Sequence, residues 1–189
     1  MGDCCFGFGS YASGPGGLPL NYGLFSQTTT STPITNTLVE SSLVSSGVGT
    51  LTVPANGFKV GDSFMMEMGG HLTSANNNNI TLKLKANSII LANSGLLNLP
   101  QTTNQHWRLS VVFTIRALGA AGVASIQTSG QFTYTKDASN AFEGIDIVDL
   151  NNTTFDTTIS TTLGVTATWA SASASNIIYS ETFVLNKTY

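Results

Sequence analysis

At 189 residues the chain has the length of a single domain, or of one domain with an arm, and its 41% apolar content is too high for disorder throughout. Charge is scarce: seven basic and ten acidic residues make up 9% of the chain, against about 25% in ordinary soluble domains. A net charge of −3 without any Lys/Arg cluster excludes the electrostatic surface that neutralises phosphates or holds an anionic membrane, so neither nucleic acid nor membrane is expected as a partner.

Neutral polarity replaces charge, with 26 Thr, 21 Ser and 16 Asn. No run reaches the roughly 18 apolar residues that cross a bilayer, and no segment has the basic-then-apolar form of a secretory signal. A soluble chain without an export tag is expected.

Residues 1–23, MGDCCFGFGSYASGPGGLPLNYG, hold seven of the 19 glycines and two of the five prolines, the composition of an extended arm. Its single charge, Asp3, stands among aromatic rings that favour an apolar partner. The expected assembly contacts are Cys4, Cys5, Phe6, Phe8, Tyr11 and Tyr22, with Phe25 just beyond. Cys4 and Cys5 are adjacent, so neither closes a loop around a core, and no basic neighbour activates their thiols. Buried thiols, an intermolecular disulfide and acylation of the Met-Gly-Asp-Cys-Cys start all stay open, although Phe6 stands where an acylation pattern wants Ser or Thr.

From residue 24 onward the pattern becomes short alternating segments separated by turn residues, the period-two signature of half-buried strands. Strands are predicted at 24–30, 37–44, 50–53, 63–72, 80–86, 88–92, 106–118, 123–136, 142–150, 157–170 and 176–187. In the seventh, Trp107, Leu109, Val111, Phe113 and Ile115 form a dry face, and Arg108, Ser110, Thr114 and Arg116 a wet one. Gly130 marks a bulge or a close approach in the eighth. Turns are predicted at 53–57, 60–62, 75–80, 93–95, 119–122 and 136–140, because Asn and Gly tolerate positive φ. Strands of this number and spacing predict an all-β fold: an antiparallel β-sandwich spanning 24–189, with an extended N-terminal arm. A jelly roll suits the count better than an immunoglobulin topology, whose Cys…Trp…Cys signature is absent.

Chemistry-bearing patterns are few. His71 and His106 each stand at a predicted strand boundary with no other ligand at metal spacing, so no metal or cofactor is expected. Glu143, Asp146, Asp149 and Asp156 are the one carboxylate cluster; Asp146 and Asp149, an odd number apart, face opposite sides of a strand. Nucleophile elbows, phosphate loops and dinucleotide fingerprints are absent, and no enzyme is expected. Asn76, Asn77, Asn78 and Asn79 with Trp107 are the candidate glycan-binding set, although alternation favours Trp107 in the core.

Residues 36–70 carry Glu40, Ser42, Leu43, Gly49, Leu51, Pro54, Ala55, Asn56, Val60, Gly61 and Asp62 in the order Glu-x-Ser-Leu, Gly-x-Leu-x-x-Pro-Ala-Asn and Val-Gly-Asp. This order resembles a module of bacteriophage virion structural proteins, and the likeness extends more loosely through residues 81–85, 106–116 and 130–134. The resemblance implies a jelly-roll, tumour-necrosis-factor-like fold, usually trimeric, located in the virion as head decoration, fibre, spike or tail component. It implies two kinds of partner, other copies of the chain and the major capsid or tail protein. The leading expectation is a trimeric capsid decoration or cement protein anchored by its arm. The alternative is a tail fibre or spike module recognising host-surface glycans. The arm and everything after Lys136 depart from the module.

Overall fold

The computed structural model describes residues 22–137 and 141–189. These residues form fourteen strands, and no helix occurs among them. The first seven are β1 (Tyr22–Gln27), β2 (Ile34–Thr35), β3 (Ser41–Ser42), β4 (Gly47–Gly49), β5 (Thr52–Val53), β6 (Ser63–Ser74) and β7 (Asn78–Ala86). The remainder are β8 (Ile89–Asn93), β9 (Leu97–Leu99), β10 (Thr102–Ala117), β11 (Ser125–Thr135), β12 (Phe142–Asn152), β13 (Thr161–Trp169) and β14 (Ile177–Lys187). Every pairing is antiparallel. One sheet has eight strands, ordered β12-β11-β10-β6-β14-β1-β4 with β2 on β14; the other has six, ordered β3-β13-β7-β8 with β5 on β13 and β9 on β7. The architecture is an antiparallel β-sandwich.

Alternation builds the core. Along β6, Phe64, Met66, Met68, Gly70 and Leu72 point inward, while Met65, Glu67, Gly69, His71 and Thr73 point out. The inner faces of β10 and β13 add Trp107, Leu109, Val111 and Phe113, and Leu163, Val165 and Trp169, to one continuous apolar cluster. Trp107 and Trp169 are both buried, and each indole N–H finds carbonyls: Trp107 donates to His71 O and Tyr179 O at 3.1 Å, Trp169 to Ile34 O at 3.1 Å. Asn56 (φ 59°), Gly61 (φ 92°) and Asn77 (φ 55°) occupy predicted turns in the left-handed region.

The segment 37–44, predicted as one strand, pairs only at Ser41–Ser42. Side chains there divert the backbone: Thr37 Oγ1 accepts from Val39 N, Ser41 Oγ donates to Val39 O, and Ser42 Oγ accepts from Val44 N. Likewise β13 starts at Thr161, not 157, because Asn152 and Asp156 side chains accept from Thr154 N and Thr158 N. β10 begins at Thr102, four residues before the predicted start, across an irregularity holding Asn104 at φ 51°. β2, β4 and β9 are two or three residues long, too short to show alternation. Residues 22 and 23, read with the arm, belong to β1 and pair with Lys187 and Asn186.

Gly130 is a close approach and not a bulge: the register runs unbroken through it, and a Cβ there would lie 2.6 Å from Ser110 O. Gly70 is tighter still, since a Cβ would lie 2.1 Å from Tyr179 O and 2.8 Å from Ser180 Cα. Gly164 has nothing within 4 Å. Gly70→Ala is therefore expected to destabilise the fold by roughly 1–3 kcal/mol or more, through backbone displacement. Gly164→Ala should be neutral, or stabilise by about 0.4–1 kcal/mol through the unfolded chain. Urea denaturation of both variants measures the contrast.

Candidate functional site

The long strands place their polar alternates on the outer face of the eight-stranded sheet, where registered positions line up in rows. One row runs Asp146, Gln131, Ser110, Glu67 and Val184; the next runs Gly144, Thr133, Arg108, Gly69 and Thr182. Glu67 holds this face together by accepting from Arg108 Nε at 2.7 Å and Ser110 Oγ at 2.5 Å. Two hollows lie beside Arg108, and side-chain-free Gly69 lines one of them. One, of about 430 Å³, is edged by His106, Arg108, Gln131 and Phe142. The other, of about 390 Å³, is edged by Glu67, His106, Glu181 and Thr182.

His71 and His106, 35 positions apart in sequence, are direct cross-strand partners on this same face. Their ring centroids are 4.0 Å apart at an interplanar angle of 42°, and Tyr179 lies 5.9 Å from His71 by the same measure. Glu181 Oε2 lies 2.9 Å from His71 Nδ1, an ion-pair distance, but off the line a ring N–H needs for a hydrogen bond. No spacing in the sequence announces this cluster, because strand register alone creates it.

The sequence-derived candidates separate. Cys4, Cys5, Phe6, Phe8 and Tyr11 lie outside the described residues, and Tyr22 contributes its backbone to β1. Phe25 belongs to the core and not to an arm: it is buried against Phe183 with centroids 5.5 Å apart. Trp107 is 3% exposed and offers no face to a sugar, so it does not join Asn76–79 in one site. Asn78 and Asn79 are fasteners: Asn78 Nδ2 donates to Asn176 Oδ1 at 3.1 Å, and Asn98 Nδ2 donates to Asn79 Oδ1 at 3.0 Å. Asn76 and Asn77 are exposed at the β6–β7 turn, where Asn76 edges a polar hollow of about 310 Å³ with Thr73, Gln101, Thr103 and Ser175.

The acidic cluster is also dispersed. Glu143 accepts from Tyr134 and pairs with Lys136 at 2.7 Å, Asp146 accepts from Gln131, Asp149 from Asn152, and Asp156 from Thr158. Lys136 and then Tyr134 hold the Glu143 carboxyl below its usual range, while burial and Glu143 push the Tyr134 phenol up. Five of the seven basic side chains are in ion pairs with carboxylates. Among the described residues, no group of three His, Cys, Asp or Glu is placed to hold a metal ion. The interior has an apolar void of about 70 Å³, lined by Phe58, Phe64, Phe113, Phe155 and aliphatic neighbours, with no titratable group.

No protein-family model matches the chain, and no curated protein matches it in sequence.

Glu40 straps the 36–44 segment onto the outer face of the second sheet, accepting from Lys83 at 2.6 Å, Lys85 at 2.7 Å and Thr166 at 3.0 Å. Lys83 and then Lys85 draw its carboxyl down from 4.5 to about 2. Because the folded value is the lower one, this stabilisation is complete above about pH 4.5 and is lost as pH falls toward 2. Glu40→Gln is expected to cost roughly 1–2 kcal/mol at neutral pH, after screening at a part-exposed site, and to flatten the acid limb of stability against pH. Chemical denaturation from pH 7 to pH 2 reads both effects.

Proposed function

We propose that the chain is a non-enzymatic structural protein of a virion: a jelly-roll subunit that forms a homotrimer and decorates or cements a capsid. In this reading its N-terminal residues anchor it to the major capsid or tail protein. Apolar side chains standing in water, while five of the seven basic side chains are held in ion pairs within the chain, carry the proposal. Phe142 is 81% exposed, and Val148 and Leu150, on the same strand, are 52% and 63% exposed. That strand, β12, ends the eight-stranded sheet and pairs only with β11 among the described residues. An edge of eleven residues with unpaired backbone groups and apolar side chains is a surface that assembly covers, and closed threefold symmetry covers it in every copy.

Strand order supports the jelly roll. The connections β5–β6, β6–β7, β9–β10, β12–β13 and β13–β14 each pass from one sheet to the other, so neighbours such as β6 and β14, or β7 and β13, come from distant parts of the chain. The virion resemblance rests on residues that hold this wrap in place. Leu43 is fully buried, Glu40 is pinned by two lysines, and Asp62 pairs with Lys187 at 2.6 Å while accepting from Lys59 N at 2.9 Å. Dispersal of the carboxylates into separate contacts supports the non-enzymatic part. The second reading, a fibre or spike module that binds host glycans, is favoured by the hollows beside Arg108 and the exposed Phe142 ring.

Sedimentation and mass photometry of the full chain at micromolar concentration are expected to show trimers, and particles lacking the protein should lose stability. Monomer alone, together with unaltered particle stability and infectivity, defeats the proposal. On a glycan array the second reading expects binding that Phe142→Ala abolishes; an array without signal removes it.

A further inference from the structure

We propose that His71 and His106 form a two-imidazole site for a borderline divalent transition metal, Zn²⁺, Cu²⁺ or Ni²⁺, on the outer face of the eight-stranded sheet. Opposed residues of an antiparallel pair project to the same side, so the β6–β10 register fixes both rings without a loop. Metal–imidazole bonds of about 2.0–2.1 Å set two nitrogens on a tetrahedral ion about 3.3 Å apart. Rings with centroids 4.0 Å apart reach that separation by rotation of His106, which is exposed.

Glu181 supplies the outer partner that a metal-bound imidazole uses. Its Oε2 lies 2.9 Å from His71 Nδ1, and that buried nitrogen has no hydrogen-bond partner. With its side chain 42% exposed, Glu181 has room to turn into line with the ring N–H. A carboxylate on Nδ1 selects the tautomer that leaves Nε2 to the metal and raises its basicity. Tyr179 walls His71 on the β14 side. The nearby cation Arg108 is neutralised by Glu67 at 2.7 Å, so it does not repel an ion at His106. The hollow of about 390 Å³ edged by His106 and Glu181 leaves space for water or a small anion to complete the coordination. Imidazole donors favour zinc, copper or nickel over magnesium or calcium.

The test uses the full chain carrying Cys4→Ser and Cys5→Ser, so that thiols do not contribute. Calorimetric titration with ZnCl₂ is expected to show saturable binding of one ion per chain, and electron paramagnetic resonance with CuCl₂ to show two imidazole nitrogens on the copper. His106→Ala should weaken binding at least about ten-fold and remove one of those nitrogens. Glu181→Gln should weaken binding about ten- to a hundred-fold with both nitrogens retained, the signature of a positioning residue. Circular dichroism confirms that each variant is folded, and His106→Gln replaces any alanine variant that is not. No saturable binding, or binding that His106 variants leave unchanged, overturns the proposal.

Discussion

The pairing of β6 between β10 and β14 is the constraint on which the rest of the molecule depends. Eleven registered pairs join β6 to β10, and ten join it to β14. Because side chains alternate, that register assigns every residue of three strands to the core or to solvent, and a one-residue slip would invert all of them. Gly70 shows how closely the fit is drawn. At that inward position the β14 backbone comes so near that no Cβ fits, and the adjoining carbonyls of His71 and Tyr179 both receive the Trp107 indole N–H. A buried aromatic, a glycine and an irregularity in β14 between Ser180 and Thr182 are one packing solution.

Scarcity of charge shapes the surface. The paired carboxylates act as seams between elements and not as a field around the molecule: Glu40 ties the 36–44 segment to β7 and β13, Asp62 ties the start of β6 to the end of β14, and Glu67 ties β6 to β10. What faces water is mostly hydroxyl, amide and apolar carbon. Such a surface carries little long-range repulsion between identical copies. Five of the seven basic side chains are taken up in ion pairs, which leaves few to form a basic patch.

Buried polarity supplies the specificity that charge does not. Gln27 Nε2 donates to Ser180 Oγ at 2.9 Å, Ser180 Oγ to Leu43 O at 2.5 Å, Ser180 N to Ser31 Oγ at 2.9 Å, and Gln27 Oε1 accepts from Ser45 N at 3.0 Å. This network locks β1 and the irregular 28–45 stretch against β14, where few ladder bonds exist. A fully satisfied network of this kind fixes one arrangement of a segment whose own pattern is ambiguous.

The sequence by itself determined the class of fold and most of its long strands, because alternation over nine or more residues is a local signal that burial on one face enforces; residues 63–72 and 106–116 are examples. It also determined turns such as those at Asn56, Gly61 and Asn77, where the residue takes positive φ, and the burial of Trp107 and Trp169, but not the positive φ of Asn36, Asn87, Asn104 or Asn151. Segment 37–44 was beyond it, since β-propensity and hydroxyl-to-backbone competition point opposite ways there and tertiary contacts decide between them. Phe25, grouped with the assembly contacts just beyond the arm, lies in the core through pairing with β14 and packing against Phe183. Only the tertiary structure set His71 against His106 with Glu181 beside them: residues 35 and 75 positions apart along the chain become neighbours through strand register, a long-range quantity that no local spacing encodes.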